Sequence, residues 1–409
     1  MQDPEATPAN ERSRRWAATM GGFIKGADAD ADAGHRVDDA ARTPATKALR
    51  VAHADSSARV GEATGPAAGS VLVPLARIER EEAEAASLVR GATRSGGAGH
   101  RLRDEDPDPW RTCFERDRDR ILHAASFRRL AGKTQVFVFP EDHQRTRLTH
   151  ALEVAQVASS IARACRLNVA LAEAIALGHD CGHGPGGHAS EDAFDPFLPE
   201  GFDHAPWGAH VSLASLNLCF ETLDGIANHS WSRPAPSTPE GEVVSWADRL
   251  AYVCHDWEDA AAAGIVSQTL LPAVVKERCG ERRGRQLGAF IEALVATVQA
   301  TGRIGMDNDM AEALAAFRAC NYEHIYLRDA SRAQGEAVVS VLRALVEHYA
   351  DRPNAIPAVD EAGGLAGGTT EAVHAAVAYV AGMTDRFAFR QAVAVLGWDP
   401  AKLPRGVEG

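Results

Sequence analysis

The stretch Leu177–Asp192, LGHDCGHGPGGHASED, gathers His179, His183 and His188 with Asp180 and Glu191 among five glycines. Imidazoles and carboxylates are the side chains that ligate divalent metals and move protons near neutral pH. Two readings compete: a solvated loop, or a metal site with acid/base partners. A bare His–Asp dipeptide carries no weight, and the chain holds a second one, His255–Asp256, which is not assigned to the metal. An ordered set does carry weight. His150 opens the helical segment THALEVAQVASSIARAC, and His179–Asp180 closes the next, NVALAEAIALGHD. Packed antiparallel, those two helices would bring the ends together. A fourth ligand comes from GEVVSWADRLAYVCHDWEDAAAAGIV, where Asp248, Tyr252 and Asp256 recur at i, i+4 and i+8 and share one helical face. His150, His179, Asp180 and Asp248 are therefore candidate ligands for one divalent ion. Imidazole with carboxylate suits Mn, and carboxylate with water tolerates Mg; Fe, Ni, Co and Zn also fit.

The elements that must position these residues follow from periodicity. From DPWRTCFERDRDRILHAASFRRL onward, apolar residues recur at three and four, the spacing of amphipathic helices. The threonine before His150 is a candidate cap for the first core helix. NLCFETLDGIANHSW reads as a third helix, the Asp248 segment as a long fourth, and helical patterns continue to about residue 350. After the loop AGGLAGGTT, EAVHAAVAYVAGMTDRFAFRQAVAVL reads as two closing helices. The expected fold is all-α: one helical domain over residues 101–409, near the upper size for a single core. Its motif core spans about 110–260, and a C-terminal helical part spans 261–409. Residues 1–100, with GADADADAGHRVDDAARTPATKA, bury little and read as a disordered extension holding at most one short helix.

A net charge of −13 and a pI near 5.7 argue against a nucleic-acid coat or a membrane-surface binder. No apolar run is long enough for a transmembrane helix, and no secretory apolar region is visible. Seven scattered cysteines without a CxxC suit reduced thiols and a cytoplasmic setting.

The order H…HD…D resembles that of the HD-domain metal-dependent phosphohydrolases, and more closely the deoxyguanosinetriphosphate triphosphohydrolase-like (dNTPase) branch. The motifs RDRDRILHAASFRRLAGKTQVF, RTRLTHALEVAQVA, EAIALGHDCGHGPGGHASEDAF, LNLCFETLDGIANHSW and VVSWADRLAYVCHDWEDA carry the likeness in order and spacing. The resemblance implies an HD-domain multi-helix fold with the metal between helices. It also implies hydrolysis of a dNTP, dGTP-like, at the α-phosphorus to deoxynucleoside and inorganic triphosphate. In that scheme His188 and Glu191 handle the proton and align the water, and His183 faces the phosphate or leaving group. Arg147, Arg249 and Arg129 approach the triphosphate; Tyr252 packs on the sugar where a 2′-hydroxyl would clash. Asp256 accepts from the 3′-OH, and His204 faces the site. The resemblance further implies a homo-oligomer and a regulatory nucleotide or single-stranded DNA. This chain departs from the branch at HGPGGH, where Gly186 replaces a phenylalanine, and in FDHAPWGAHVSLASLNL, which is shorter than the branch's segment and lacks the Asn and the Gln of its pattern. Those departures keep two alternatives open: an HD phosphohydrolase acting on a nucleoside monophosphate or cyclic nucleotide, or a catalytically weak nucleotide- or ssDNA-sensing module.

Overall fold

The computed structural model describes residues 48–51, 59–62, 74–141 and 143–404. The chain divides into two units, Met1–Val73 and Pro74–Gly409. In the first, β1 (Ala48–Val51) pairs antiparallel with β2 (Arg59–Glu62), Ala48 opposite Glu62 and Val51 opposite Arg59. Four-residue strands are too short for an alternation to be read, so this ribbon was not expected from the sequence. The remainder of residues 1–73, expected to be disordered, lies outside the described residues.

The second unit starts at Pro74, so the domain boundary expected near residue 100 moves upstream. The one short helix expected there is α1 (Arg77–Ser87). Residues after it are tied to the core by buried acceptors: the Glu240 carboxylate accepts from Thr93 N (3.1 Å), Thr93 Oγ1 (2.8 Å) and Asn168 N (2.9 Å). Composition hid this, because the anchoring groups are polar.

The longer helices that build the site are α2 (Cys113–His123), α3 (Arg147–Ala164), α4 (Val169–Gly178), α5 (Ala189–Phe194), α6 (Phe220–Ala227) and α7 (Pro239–Ala262). Then come α8 (Arg283–Thr301), α9 (Asn308–Asn321), α10 (Asp329–Asp351), α11 (Thr370–Ala381) and α12 (Asp385–Leu396). α4 is apolar nearly all round because it sits inside a ring of neighbours, packing on α2, α3, α6 and α7. Asn168 caps it, accepting from Leu171 N. α3 starts at Arg147, three residues before His150. Thr146 takes the cap position, and the Thr149 hydroxyl accepts from Thr146 N at 3.0 Å. Arg145, just outside α3, is bound by Glu153, Glu258 and Asp259, which fixes the start of α3 against α7.

The single core expected from the sequence is two. One, with Ile121, Val154, Ile161, Ile175, Val244, Leu250 and Phe317, fills α2–α4 and α7–α9. The other, with Phe194, Val338, Leu342, Leu345, Val377 and Phe389, joins α5 to α10, α11 and α12. Among the described residues no helix is long and apolar enough to cross a membrane.

Candidate functional site

The first turn of α3 turns Arg147 and His150 inward, and both are buried. His179 follows the last residue of α4, and its Nδ1 donates to Ala176 O at 2.6 Å. That bond fixes the tautomer, leaving Nε2 with a lone pair. Nε2 is buried without a hydrogen-bond partner, 3.4 Å from Asp180 Oδ1 and 3.7 Å from Asp248 Oδ1. His150 Nε2 lies 3.0 Å from Asp248 Oδ1. Burial works to raise Asp248, yet His150 and His179 hold its carboxyl well below the usual carboxylate range. Burial opposes ionisation of Asp180 likewise, and Arg147, His179 and His183 together outweigh it. An imidazole lone pair buried against two anions is unfavourable until a cation stands between them. Ligands on a tetrahedral ion with bonds of about 2.1 Å sit roughly 3.4 Å apart. Both the orphaned nitrogen and the spacings therefore fit a divalent ion at His150, His179 and Asp248, whose ligand atoms stand within 4.8 Å of one another, with Asp180 beside His179.

Arg147 Nη1 donates to Asp180 Oδ2 at 2.7 Å, while its Nε and Nη2 are buried without partners beside a cavity of about 620 Å³. The glycine-rich loop must pass close to this guanidinium. Gly187 takes φ +63°, and a Cβ there would stand 2.7 Å from Arg147 Nη2. At Gly182 a Cβ would fall 1.9 Å from His204 O, so only glycine lets the short helix His204–Trp207 approach. Lys133 Nζ donates to the carbonyls of His183 and Ala381, and burial pushes its amine down to about 7. The Asp385 carboxylate accepts from Thr134 N, Thr134 Oγ1 and Gly186 N. Both contacts pin the loop to the second core.

Glu191 on α5 places Oε1 2.8 Å from His204 Nδ1 and 3.0 Å from His188 Nδ1. Burial works to raise this carboxyl, and His188 and His204 hold it far below its ordinary range. The His188 side chain is 74% exposed at the cavity mouth, whereas His183 is buried and stacked on His204, ring centroids 3.7 Å apart.

The far end of the cavity is lined by Tyr252 and Asp256 of α7, as their shared face requires, together with Arg249. The Arg249 guanidinium lies 3.4 Å over the Trp231 ring, and its Nε is unpaired. Asp256 Oδ2 accepts from Tyr326 OH at 2.5 Å, Oδ1 has no partner, and burial pushes the carboxyl up to about 7. Arg318 Nε donates to Tyr252 OH at 3.1 Å.

Of the residues proposed from the sequence, all but Arg129, Glu191 and His179 line this cavity. His179 and Glu191 stand directly behind the lining residues they contact. Arg129 is not among the lining residues; its Nη2 lies near Gly382. His255 also turns away, to Glu153 at 2.9 Å, which agrees with leaving that dipeptide out. Sequence reasoning missed Arg318, Tyr322 and Tyr326, which come from the end of α9 and the π-turn Tyr322–Tyr326 after it. A π-turn has no periodicity by which to find it. His229 was missed too. It sits just past the end of α6 with Nδ1 donating to Ile226 O, the local geometry of His179 at the end of α4. A histidine at such a helix end was the available signal.

With the geometry in place, the comparisons agree. The HD domain family matches residues 147–253, and the phosphohydrolase-associated domain matches 304–393, the part that supplies Arg318 and Tyr326. A deoxyguanosinetriphosphate triphosphohydrolase-like protein of Caldanaerobacter subterraneus is 38% identical over 75% of this chain and 92% of its own length. Relatives of the same description from Clostridium perfringens (38%) and Syntrophus aciditrophicus (36%) match 75% of this chain and 93% of theirs. This chain belongs to the deoxyguanosinetriphosphate triphosphohydrolase-like family of HD-domain phosphohydrolases.

Proposed function

We propose that the protein hydrolyses deoxynucleoside triphosphates at the α-phosphorus, yielding deoxynucleoside and inorganic triphosphate. The observation that carries this reading is Arg147: two buried, unpaired N–H donors aimed beside the candidate metal ligands, in a cavity with further guanidinium groups at its other end. A forked cation of this kind suits phosphate oxygens. The divalent ion, Mn²⁺ or Mg²⁺, supplies Lewis-acid polarisation of the α-phosphoryl group.

The chain's own residues do the rest. Arg147 holds a non-bridging α-oxygen, with the buried His183 beside it, and Arg249 and Arg318 take the distal phosphates. Tyr252 closes on the deoxyribose where a 2′-hydroxyl would collide, and the Asp256 carboxylate accepts from the 3′-OH. The water oxygen bonds to the α-phosphorus as the α-phosphorus–O5′ bond breaks, its electron pair leaving on O5′. His188, oriented by Glu191, takes the water proton and returns it to O5′.

The test is a product assay. The purified chain is incubated with each dNTP and rNTP in Mg²⁺ or Mn²⁺, with Asp180→Ala as control, and products are separated by anion exchange. Deoxynucleoside and intact triphosphate from dNTPs, absent in the control, are expected. Release of orthophosphate or pyrophosphate instead, or hydrolysis confined to nucleoside monophosphates or cyclic nucleotides, overturns the reading.

A further inference from the structure

Four donor side chains outside the His150–His179–Asp180–Asp248 set converge on a point of their own. His183, His188, Glu191 and His204 each place one ligand atom within 4.8 Å of all the others. Three ring nitrogens surround a single oxygen: Glu191 Oε1 lies 2.8 Å from His204 Nδ1, 3.0 Å from His188 Nδ1 and 3.6 Å from His183 Nδ1. The last distance is too long for a hydrogen bond, and His183 Nδ1 is buried with no other partner. Neighbouring ligands on a tetrahedral ion with bonds of about 2.0–2.1 Å stand roughly 3.3–3.4 Å apart. The three contacts bracket that spacing.

The tautomers point the same way. His229 Nδ1 donates to Ile226 O at 2.8 Å, so its Nε2 carries a lone pair. That lone pair faces His204 Nε2 at 3.3 Å, so the His204 proton belongs on Nε2. The 2.8 Å contact of His204 Nδ1 with the Glu191 carboxylate then needs a positive centre between the two atoms, which a proton or a bound metal ion supplies. A chain of N–H donors from His204 through His229 to a backbone carbonyl is the outer-shell arrangement that orients metal-ligating histidines.

We infer that His183, His188, His204 and Glu191 form a second divalent-metal site, separate from the first and selective for Zn²⁺ or Co²⁺ over Mg²⁺. Three imidazoles and one carboxylate make a nitrogen-rich set, whereas the first set is half carboxylate. Filling this site occupies the ring nitrogens around Glu191 and with them the His188 proton relay, so the second ion is inhibitory. Only that consequence rests on the proposed hydrolysis.

The test counts metal in the full chain after chelator stripping. Zinc per chain is measured by mass spectrometry and calorimetry with Zn²⁺ at saturation, for wild type, His188→Ala and Asp248→Asn. Two zinc ions are expected in wild type. In His188→Ala, which alters an exposed side chain and leaves the fold intact, one zinc site should weaken by about tenfold or more. Asp248→Asn should keep the His188-dependent site, giving the ligand-field absorption of tetrahedral Co²⁺ on cobalt loading. A single zinc in saturated wild type overturns the proposal. So does a second zinc whose affinity is unchanged in His188→Ala. Failure of dNTP hydrolysis would leave these counts untouched, so the two readings fail separately.

Discussion

The two ends of the cavity are made from different kinds of sequence. At the candidate metal end, His150, His179, Asp180 and Asp248 stand at the ends or along the inner faces of α3, α4 and α7. Their charges compensate one another: Asp180 with Arg147, Asp248 with His150. At the far end, Asp256 meets Tyr326 across 70 positions of sequence, and Tyr252 meets Arg318 across 66. One end is organised by local helix geometry, the other by how α9 and its π-turn close over α7. The difference separates chemistry from recognition. Damage at the first end should abolish turnover, and damage at the second should change which substrate is held and how tightly.

The largest expected effect is at Asp180. Asp180→Ala removes a proposed ligand and leaves Arg147 without its partner, and kcat should fall by at least about 10⁴-fold, with loss of bound metal measured on the purified variant. His188→Ala comes next. It should lower kcat by about 10²- to 10³-fold while the ion at the His150–Asp248 set stays bound, a split that metal analysis alongside kinetics resolves. Retention of full activity in that variant would remove the proton-relay role.

The far end gives a smaller and different signature. Asp256→Asn should raise KM for a dNTP by about tenfold, with little change in kcat, since the proposed charged acceptor for the sugar becomes a weaker neutral one and no reacting bond is touched. Its pH behaviour is equally specific. Burial lifts the Asp256 carboxyl to about 7, so protonation below that pH likewise weakens the proposed acceptor for the 3′-OH. KM should climb as pH falls through 7 in wild type and stay flat in Asp256→Asn.

The smallest effect lies behind both ends, in the network that seats α3 on α7. Burial works to raise Glu153, but His255 and Arg145 hold its carboxyl down at about 2, against an ordinary 4.5. A depressed carboxylate stabilises the fold above its unfolded value, and that contribution is lost as pH drops from about 4.5 toward 2. Urea midpoints at pH 7 and pH 3 should therefore fall further in wild type than in Glu153→Gln, which should be about 1 kcal/mol less stable at pH 7.

The same contrast explains what the sequence made legible. α3, α6 and α7 could be read because a 3.6-residue pattern runs through each, and α4 because its apolar run ends where glycines and Pro185 break it; the Asp248–Tyr252–Asp256 face followed from the pattern of α7. The division into two cores could not be read. The contacts between the two cores include Lys133 with Ala381 and Thr134 with Asp385, 248 and 251 positions apart, which no local pattern announces. Arg129, proposed from its place in a basic motif, is not among the residues that line the cavity. His229 was within reach, had the helix-end position of His179 been sought a second time.

The central claim is that this site directs water to the α-phosphorus, and hydrolysis of a dNTP in ¹⁸O-water tests it most directly. Mass spectrometry of the products should find one ¹⁸O in the inorganic triphosphate and none in the deoxynucleoside. Label in the deoxynucleoside would mean cleavage at carbon, and label in orthophosphate or pyrophosphate would mean attack at another phosphorus; either result contradicts the account.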